Sequence, residues 1–480
     1  MVEDPTYRRF GQGWLLAPKR SICGQTRLAT LGWGEADLGT HSLLFETHAK
    51  YTVGQCRNVS VHALGIIMDV LDFELDDVAI CANLATALKQ SGWESFYEKL
   101  KPLAGTFVLF IHHQGGFSVI LDATGTVPAC YNVFGAETFV SSHPQLVAMS
   151  IGSCESDVAR MWREHPAVNR GGAYMPGLLT EFDGVEIITP NQRFDVESRL
   201  MIRFYPVANL PSLEPSEIAT EVAPMLTGQI QKLSREYNLA ISLSGGIDTR
   251  VSLAASRLAS DKAIYFTYFN HGLILATDRE IAERLRDQFR LDHIAFPANG
   301  PMSEDTKSMK RLHEGSLRCL STNLQIARHI DSRLHIRSNT LEVGRGFYLK
   351  NSANHPNRFN SEKLSRLFRK DTKEDFQPYF QAFAEKTSFD IQNFYNLHFS
   401  DLFYWEHRLA ANYGPIYRDG RAYFETYMIY NCRLILELLL STSLENRRDA
   451  AVLFCLMEQL WPEVLQIPIF SGSKFLESRS

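Results

Sequence analysis

Residues 238–250 read Asn-Leu-Ala-Ile-Ser-Leu-Ser-Gly-Gly-Ile-Asp-Thr-Arg, an apolar run that breaks into a small, polar turn containing two glycines. Residues 238–243 have the composition of a buried strand, and residues 249–258 that of a helix. A strand that hands two glycines to a helix start is suited to a polyanion. Glycine lets the backbone approach closely where a Cβ would not. The first turn of the helix offers unpaired N–H groups and a partial positive charge. Ser244 and Thr249 add hydroxyl donors. Asp248 cannot bind phosphate directly, so it is expected to hold Mg²⁺ or to organise the loop. Arg250, just inside the helix, points either to the phosphates or to solvent.

The pattern continues on both sides of this turn. A helix is expected over residues 217–237, strands over 263–268 and 293–296, and a helix between those strands that starts at Thr277. Thr277 with Glu280 three residues later has the spacing of a capping box. Alternating strands and helices predict an α/β unit, a parallel sheet with helices on its faces. Upstream, residues 100–205 read as β-rich, with a hairpin of 106–112 and 117–121 around Gln114-Gly115-Gly116. Shorter strands are expected at 42–46, 59–62, 138–140, 185–188 and 192–196, and a helix at 76–91. Prolines between 206 and 215 mark a connection, which divides the chain into domains 1–205 and 206–480. The last part is mostly helical and rich in aromatic residues.

Composition narrows the function classes. Of 480 residues, 45% are hydrophobic and 21% charged, with a net charge of −5, which is a globular and mildly acidic balance. A protein built to neutralise nucleic-acid phosphates would carry a basic excess, so no nucleic-acid partner is expected. The basic run at 366–370 is diluted by Asp371, Glu374 and Asp375 and reads as a solvated helix face. No apolar run approaches the roughly 20 residues needed to span a bilayer, and no secretory signal is recognisable, so a cytoplasmic protein without membrane contact is expected. The eight cysteines lack any CxxC pair and give no spacing for zinc or an iron–sulfur cluster.

Residues 242–250, Ser-Leu-Ser-Gly-Gly-Ile-Asp-Thr-Arg, resemble the PP-loop of the ATP pyrophosphatases, which cleave ATP to AMP and pyrophosphate. Residues 337–348 resemble the second ATP-side segment of the asparagine synthetase-like branch, with Glu342 on its acidic position and Gly346-Phe347 on its Gly-Tyr. Residues 424–433 resemble a later segment of that branch, with Glu425 matching a glutamate. Gly105-Thr106-Phe107, Asp122 to Gly125 with Pro128 and Tyr131, residues 139–142 and residues 185–190 resemble its N-terminal glutaminase domain. The resemblance implies an N-terminal αββα domain like the Ntn hydrolases, followed by a parallel-sheet synthetase domain with a helical extension. It also implies ATP and Mg²⁺, an acyl-adenylate, and transfer of the acyl group to an amine or ammonia. Leu243, Ser244, Gly245, Gly246, Asp248, Thr249, Arg250 and Phe266 would contact the nucleotide. Asp248 and Glu342 would serve the metal, and Asp248, Glu342 and Lys474 the chemistry.

Three departures matter. The glutaminase reaction needs an N-terminal cysteine as nucleophile, but this sequence opens Met1-Val2-Glu3 and its first cysteine is Cys23, so glutaminase activity is expected to be lost. Tyr427 and Ile429 stand where the family pattern has arginine and proline, and a tyrosine cannot grip a carboxylate bidentately, so aspartate is not the expected substrate. The family's C-terminal lysine segment is not recognisable, and Lys474 is the nearby lysine that could stabilise phosphate charge.

The expected substrate is therefore a small-molecule or peptide carboxylate. The amine is free ammonia, ammonia from a partner or an amine on the substrate, as in the similar β-lactam synthetases and lasso-peptide cyclases. A second copy of the chain or another biosynthetic protein remains open as a macromolecular partner. A PP-loop tRNA modifier and a non-catalytic nucleotide-binding scaffold are the competing readings. Weaker candidates are Asp278 as a first-turn acid, and Glu406 and Arg408 at an acceptor site, while Tyr404, His407 and Ala411 read as core and His112-His113 as a partly exposed strand pair.

Overall fold

The computed structural model describes residues 10–21, 32–114, 116–165, 174–269, 273–298, 320–330, 333–349, 357–369, 375–471 and 474–476. Cys23 and the Gly171-Gly172 pair lie outside them. Strands β1 (Trp14–Pro18), β2 (Gly34–Leu38), β3 (His41–Phe45), β4 (Tyr51–Cys56) and β5 (Val59–Asp69) precede helix α1 (Asp77–Leu100). After it come β6 (Leu103–His113), β7 (Gly116–Leu121), β8 (Ala129–Asn132) and β9 (Val140–Ser141). The strands β10 (Val185–Ile188), β11 (Gln192–Asp195) and β12 (Leu200–Arg203) complete two antiparallel sheets. Their orders are β10-β8-β9-β1-β3-β2 and β12-β11-β7-β6-β5-β4.

Residues 103–111 of β6 are all buried, so both faces of that strand are covered and its sequence is apolar apart from Thr106 rather than alternating. One face meets the other sheet, where Trp14 packs edge-on to Phe110 at 4.8 Å and Tyr131 meets Phe194 at 4.4 Å. Helix α1 packs on β4 and β5 of the second sheet, and the short helix Pro144–Ile151 packs on β8, β9 and β10 of the first. Helix α1 runs beyond the expected end at residue 91, through a break at Gly92 (φ +83°), because Phe96 and Leu100 are buried and anchor its second segment.

The later part alternates as expected. Helix α2 (Pro215–Glu236) is followed by β13 (Leu239–Ser242), α3 (Ile247–Ala255), β14 (Ala263–Phe269), α4 (Leu273–Phe289) and β15 (His293–Pro297). Helix α5 (Leu320–His329), β16 (Leu334–Arg337) and β17 (Thr426–Met428) complete a five-stranded sheet of order β15-β14-β13-β16-β17 with every pair parallel. The chain is thus a mixed α/β protein with one parallel and two large antiparallel sheets. The expected capping box at Thr277 is corrected: α4 already runs from Leu273, so Thr277 lies inside the helix where a cap has no function. The capping box instead opens α2, between Glu214 and Glu217.

Polar joints tie the antiparallel part to the rest. The Asn431 amide donates to the Gly105 carbonyl and to Thr126 Oγ1 (3.0 Å), and its oxygen accepts from Thr124 Oγ1 (2.9 Å). Arg203 clamps Glu406 through two nitrogens, each at 2.7 Å, and Trp405 Nε1 donates to the Ala123 carbonyl (2.6 Å). One hydrophobic cluster runs without interruption from Trp14 in β1 to Ile469. No helix among the described residues is long and apolar enough to cross a membrane.

Candidate active site

The order of the parallel sheet locates the site. From β13 the chain moves through β14 to β15 on one side, then returns to place β16 on the other. The connections leaving the carboxyl ends of β13 and β16 therefore diverge, and a crevice must open between them. A cavity of about 360 Å³ lies there, lined by Ser244, Asp248, Thr249, Arg337, Glu342 and Arg345 among others.

Residues 243–246 turn the chain from β13 into α3, with Gly246 as an extended N-cap. A Cβ at Gly245 would lie 2.8 Å from Ile281 Cδ1 and 2.9 Å from Asp278 Oδ1, so a side chain there would have to push aside the carboxylate that holds the loop. The loop is held by its own hydroxyls: Thr249 Oγ1 meets Ser244 Oγ (2.9 Å) and accepts from the Ser244 N–H (3.2 Å), while Ser244 Oγ accepts from the Gly246 N–H (3.1 Å). Asp278 of α4 accepts from the Gly245 N–H at 2.9 Å. Burial raises the Asp278 carboxyl above its ordinary range, although that hydrogen bond opposes the shift. Asp278 is therefore not a first-turn acid but a brace on the loop.

Helix α3 is stapled from behind. Ser252 Oγ meets Ser338 Oγ (2.8 Å) and Tyr430 OH (3.0 Å), and Tyr430 OH also donates to the Asp248 carbonyl (3.2 Å). After β16 a 3₁₀ segment, Asn339–Arg345, carries Glu342 and stops at Gly346, whose φ of +60° favours glycine. One nitrogen of Arg345 bridges Asp248 Oδ1 (2.8 Å) and Glu342 Oε1 (3.0 Å). Burial would lower the basicity of this guanidinium, but the two carboxylates outweigh it and raise it. Asp248 and Glu342, the two sequence-predicted metal ligands, are thus brought to one cation.

Those carboxylates suit a magnesium ion. Mg²⁺ is usually held by one or two carboxylates with phosphate oxygens completing its shell. Here two hard oxygen donors already converge on one positive charge at the rim of the glycine loop.

Leu243, Ser244, Gly246, Asp248, Thr249 and Phe266 all line the cavity. Gly245 is beside it, with its N–H given to Asp278 and its carbonyl accepting from the Phe470 N–H (2.8 Å). Phe470 belongs to β18 (Ile469–Ser471), which pairs with β19 (Lys474–Leu476). Lys474 pairs with Ser471 through the backbone, and its side chain lies outside the described part.

Other expectations need correction. Arg250 does not face the phosphates: its guanidinium donates to the carbonyls of Val464 (2.7 Å), Ile467 (2.8 Å) and Pro468 (3.2 Å). Burial lowers its pKa to about 10. Glu406 is fully buried on Arg203 and Asn191 rather than at an acceptor site. Arg408 stacks on Phe347 (4.7 Å) and Tyr174 (5.7 Å). Tyr427 is buried with its hydroxyl donating to Gln229 (2.8 Å), and Glu425 meets Gln12 and Arg421; neither lines the cavity. By contrast, Tyr404, His407 and Ala411 are buried as expected, and His112 stacks on Phe117 (4.8 Å). Arg337 and Arg345 escaped the sequence reading, although both fall in the 337–348 segment that was singled out.

No family model matches the chain, and no curated protein matches it in sequence. Among solved structures, the glutamine-dependent NAD⁺ synthetase from Acinetobacter baumannii, in complex with ADP, aligns at 17% identity over 36% of this chain and 34% of its own, with a TM-score of 0.19. The chain thus spans about a third of the length of that synthetase. The glutamine phosphoribosylpyrophosphate amidotransferase from B. subtilis, complexed with ADP and GMP, aligns at 11% identity over 60% of this chain and 85% of its own, with a TM-score of 0.26. Both scores are too low to fix a common fold.

Proposed function

We propose that the chain is an ATP-dependent, AMP-forming ligase that makes an amide bond. The observation that carries this reading is the crevice between β13 and β16, where the Ser244–Thr249 loop faces Glu342 across one cavity. In the proposed reaction a carboxylate oxygen of the substrate bonds to the α-phosphorus of ATP. The α–β bridging P–O bond breaks, and its electron pair leaves with pyrophosphate. An amine nitrogen then attacks the acyl carbon, the acyl–oxygen bond breaks, and AMP departs with that pair.

The residues have separable roles. The loop N–H groups and the first turn of α3 receive the β- and γ-phosphates, which replace the hydroxyl contacts of Ser244 and Thr249. Asp278 keeps the loop in the receiving shape. Asp248 and Glu342 would hold Mg²⁺, which when bound neutralises phosphate charge. Glu342 is also the candidate base for the proton lost by the amine. The antiparallel part acts as structure, so glutamine gives no glutamate and the amine comes from solution, a partner or the substrate.

The Arg345 bridge favours a second reading, a non-catalytic scaffold, because it engages both carboxylates at once. Incubation with α-labelled ATP, Mg²⁺ and a small-molecule extract separates the two. AMP that appears with the wild type and not with Asp248→Ala supports the ligase. Nucleotide binding without AMP from any fraction would leave the scaffold.

A further inference from the structure

Of the charged side chains lining the cavity, Arg337 is unusual. Arg345 is matched to Asp248 and Glu342, and Asp278 to the Gly245 N–H. The Arg337 guanidinium makes no hydrogen bond or ion pair with any described residue; its ring contact is Tyr417, 5.6 Å away. It is half-buried at the last position of β16, where it cannot be dismissed as a solvated surface charge. Tyr417 is itself buried, so it offers a fixed aromatic ring beside the guanidinium that occupies none of its hydrogen-bond donors.

Position adds a direction. The glycine loop follows β13, the central strand, with β14 on one side and β16 on the other. On the β14 side the cavity is walled by Phe266 and Tyr268, surfaces suited to a flat apolar ring. On the β16 side it is walled by Arg337 with Ser338 and Asn339, surfaces suited to an anion. A reaction that joins an anionic acid to an anionic triphosphate also needs a cation beside the meeting point, because the two repel.

We infer that Arg337 is an oxyanion seat on the β16 side of the crevice, separate from the glycine loop, that grips the reacting acid group. This rests on the ligase reading for its place in the reaction. The seat itself is a binding property, and the oxyanion comes either from the substrate carboxylate or from the α-phosphate of ATP. Arginine presents a planar fork that fits both.

Phenylglyoxal, which attacks free guanidinium groups, reads the seat directly in the full chain, with adducts located by peptide mass mapping. Arg337 is expected to react ahead of Arg250 and Arg345. Propionate at a high concentration, against chloride at equal ionic strength, slows the Arg337 adduct about tenfold if the seat takes a carboxylate, the occupancy that about 1.4 kcal/mol of binding gives. The α,β-methylene analogue of ATP with Mg²⁺ gives that protection instead if the seat takes the α-phosphate. An Arg337 that reacts no faster than Arg250, or that neither ligand protects, overturns the proposal. Calorimetry of the ATP analogue with wild type and Arg337→Gln keeps the two readings apart. No analogue binding by the wild type removes the ligase reading, whereas propionate protection tests the seat regardless.

Discussion

Replacing Arg345 with methionine keeps the apolar stem of the side chain and removes the charge that Asp248 and Glu342 share. Their oxygens lie 2.8 and 3.0 Å from one Arg345 nitrogen, so the two carboxylates are within about 6 Å of each other. At an effective dielectric constant of about 20, two like charges at that distance repel by roughly 3 kcal/mol. All three side chains are only partly buried, so screening reduces that figure. A divalent ion relieves the repulsion and no longer meets a resident cation. Even with water-like screening, a guanidinium about 5 Å from Mg²⁺ costs it roughly 1.7 kcal/mol, so Arg345→Met should bind Mg²⁺ at least about tenfold more tightly in the absence of nucleotide. Calorimetric titration of Mg²⁺ at constant ionic strength measures this, and adding Asp248→Asn to the variant should reverse the gain. Unchanged or weaker Mg²⁺ binding in Arg345→Met would refute the idea that arginine and metal compete for the same carboxylates.

Asp278→Ala should weaken binding of an ATP analogue about tenfold or more, since a charged acceptor for the Gly245 N–H contributes roughly 1.5–3 kcal/mol. Asp278→Asn, which retains an acceptor, should stay near wild type; an equal loss in both variants would point to charge rather than loop geometry. Burial lowers His62 to about 4 and His407 to about 3, and holds His335 well below its ordinary value. Their depressed folded pKa values give stability that is complete above about pH 6.5 and is lost as pH falls toward the folded values, at roughly 1.4 kcal/mol per pH unit for each histidine. Urea unfolding at several pH values should show that slope, and His335→Phe, packed between Phe266 and Phe424, should reduce it by one histidine's share. Arg203→Met should cost about 3–5 kcal/mol by stranding the buried Glu406, and the double variant with Glu406→Leu should recover most of it; a double variant as unstable as the single would show that the pair itself is stabilising.

Local signals were legible in the sequence and distant ones were not. The strand, loop and helix around Ser244–Thr249 follow from composition and glycine placement, whereas Glu342 is reached only through the resemblance of residues 337–348. Asp278 is a long way along the chain from Gly245, and no local rule connects an acid in α4 with an N–H in the loop. Arg250 illustrates a second limit. A residue in the first turn of a helix projects toward the mouth or the core according to helical phase, and here Arg250 turns to the core, where the Val464, Ile467 and Pro468 carbonyls accept from it. The false cap at Thr277 shows that a capping pair is also an ordinary intrahelical spacing. Glu406 was misplaced because its partner, Arg203, comes from the antiparallel part, and pairing across such a distance leaves no periodic trace.

The turn 430–433 joins two matters described separately above. Asn431 is fixed by Gly105, Thr124 and Thr126, while its neighbour Tyr430 reaches the Asp248 carbonyl. The antiparallel part, which takes no chemical step in the proposed reaction, is therefore the mould in which one wall of the glycine loop sets. A change at Gly105, Thr124 or Thr126 can thus reach the Asp248 turn through Asn431 and Tyr430 without touching the cavity.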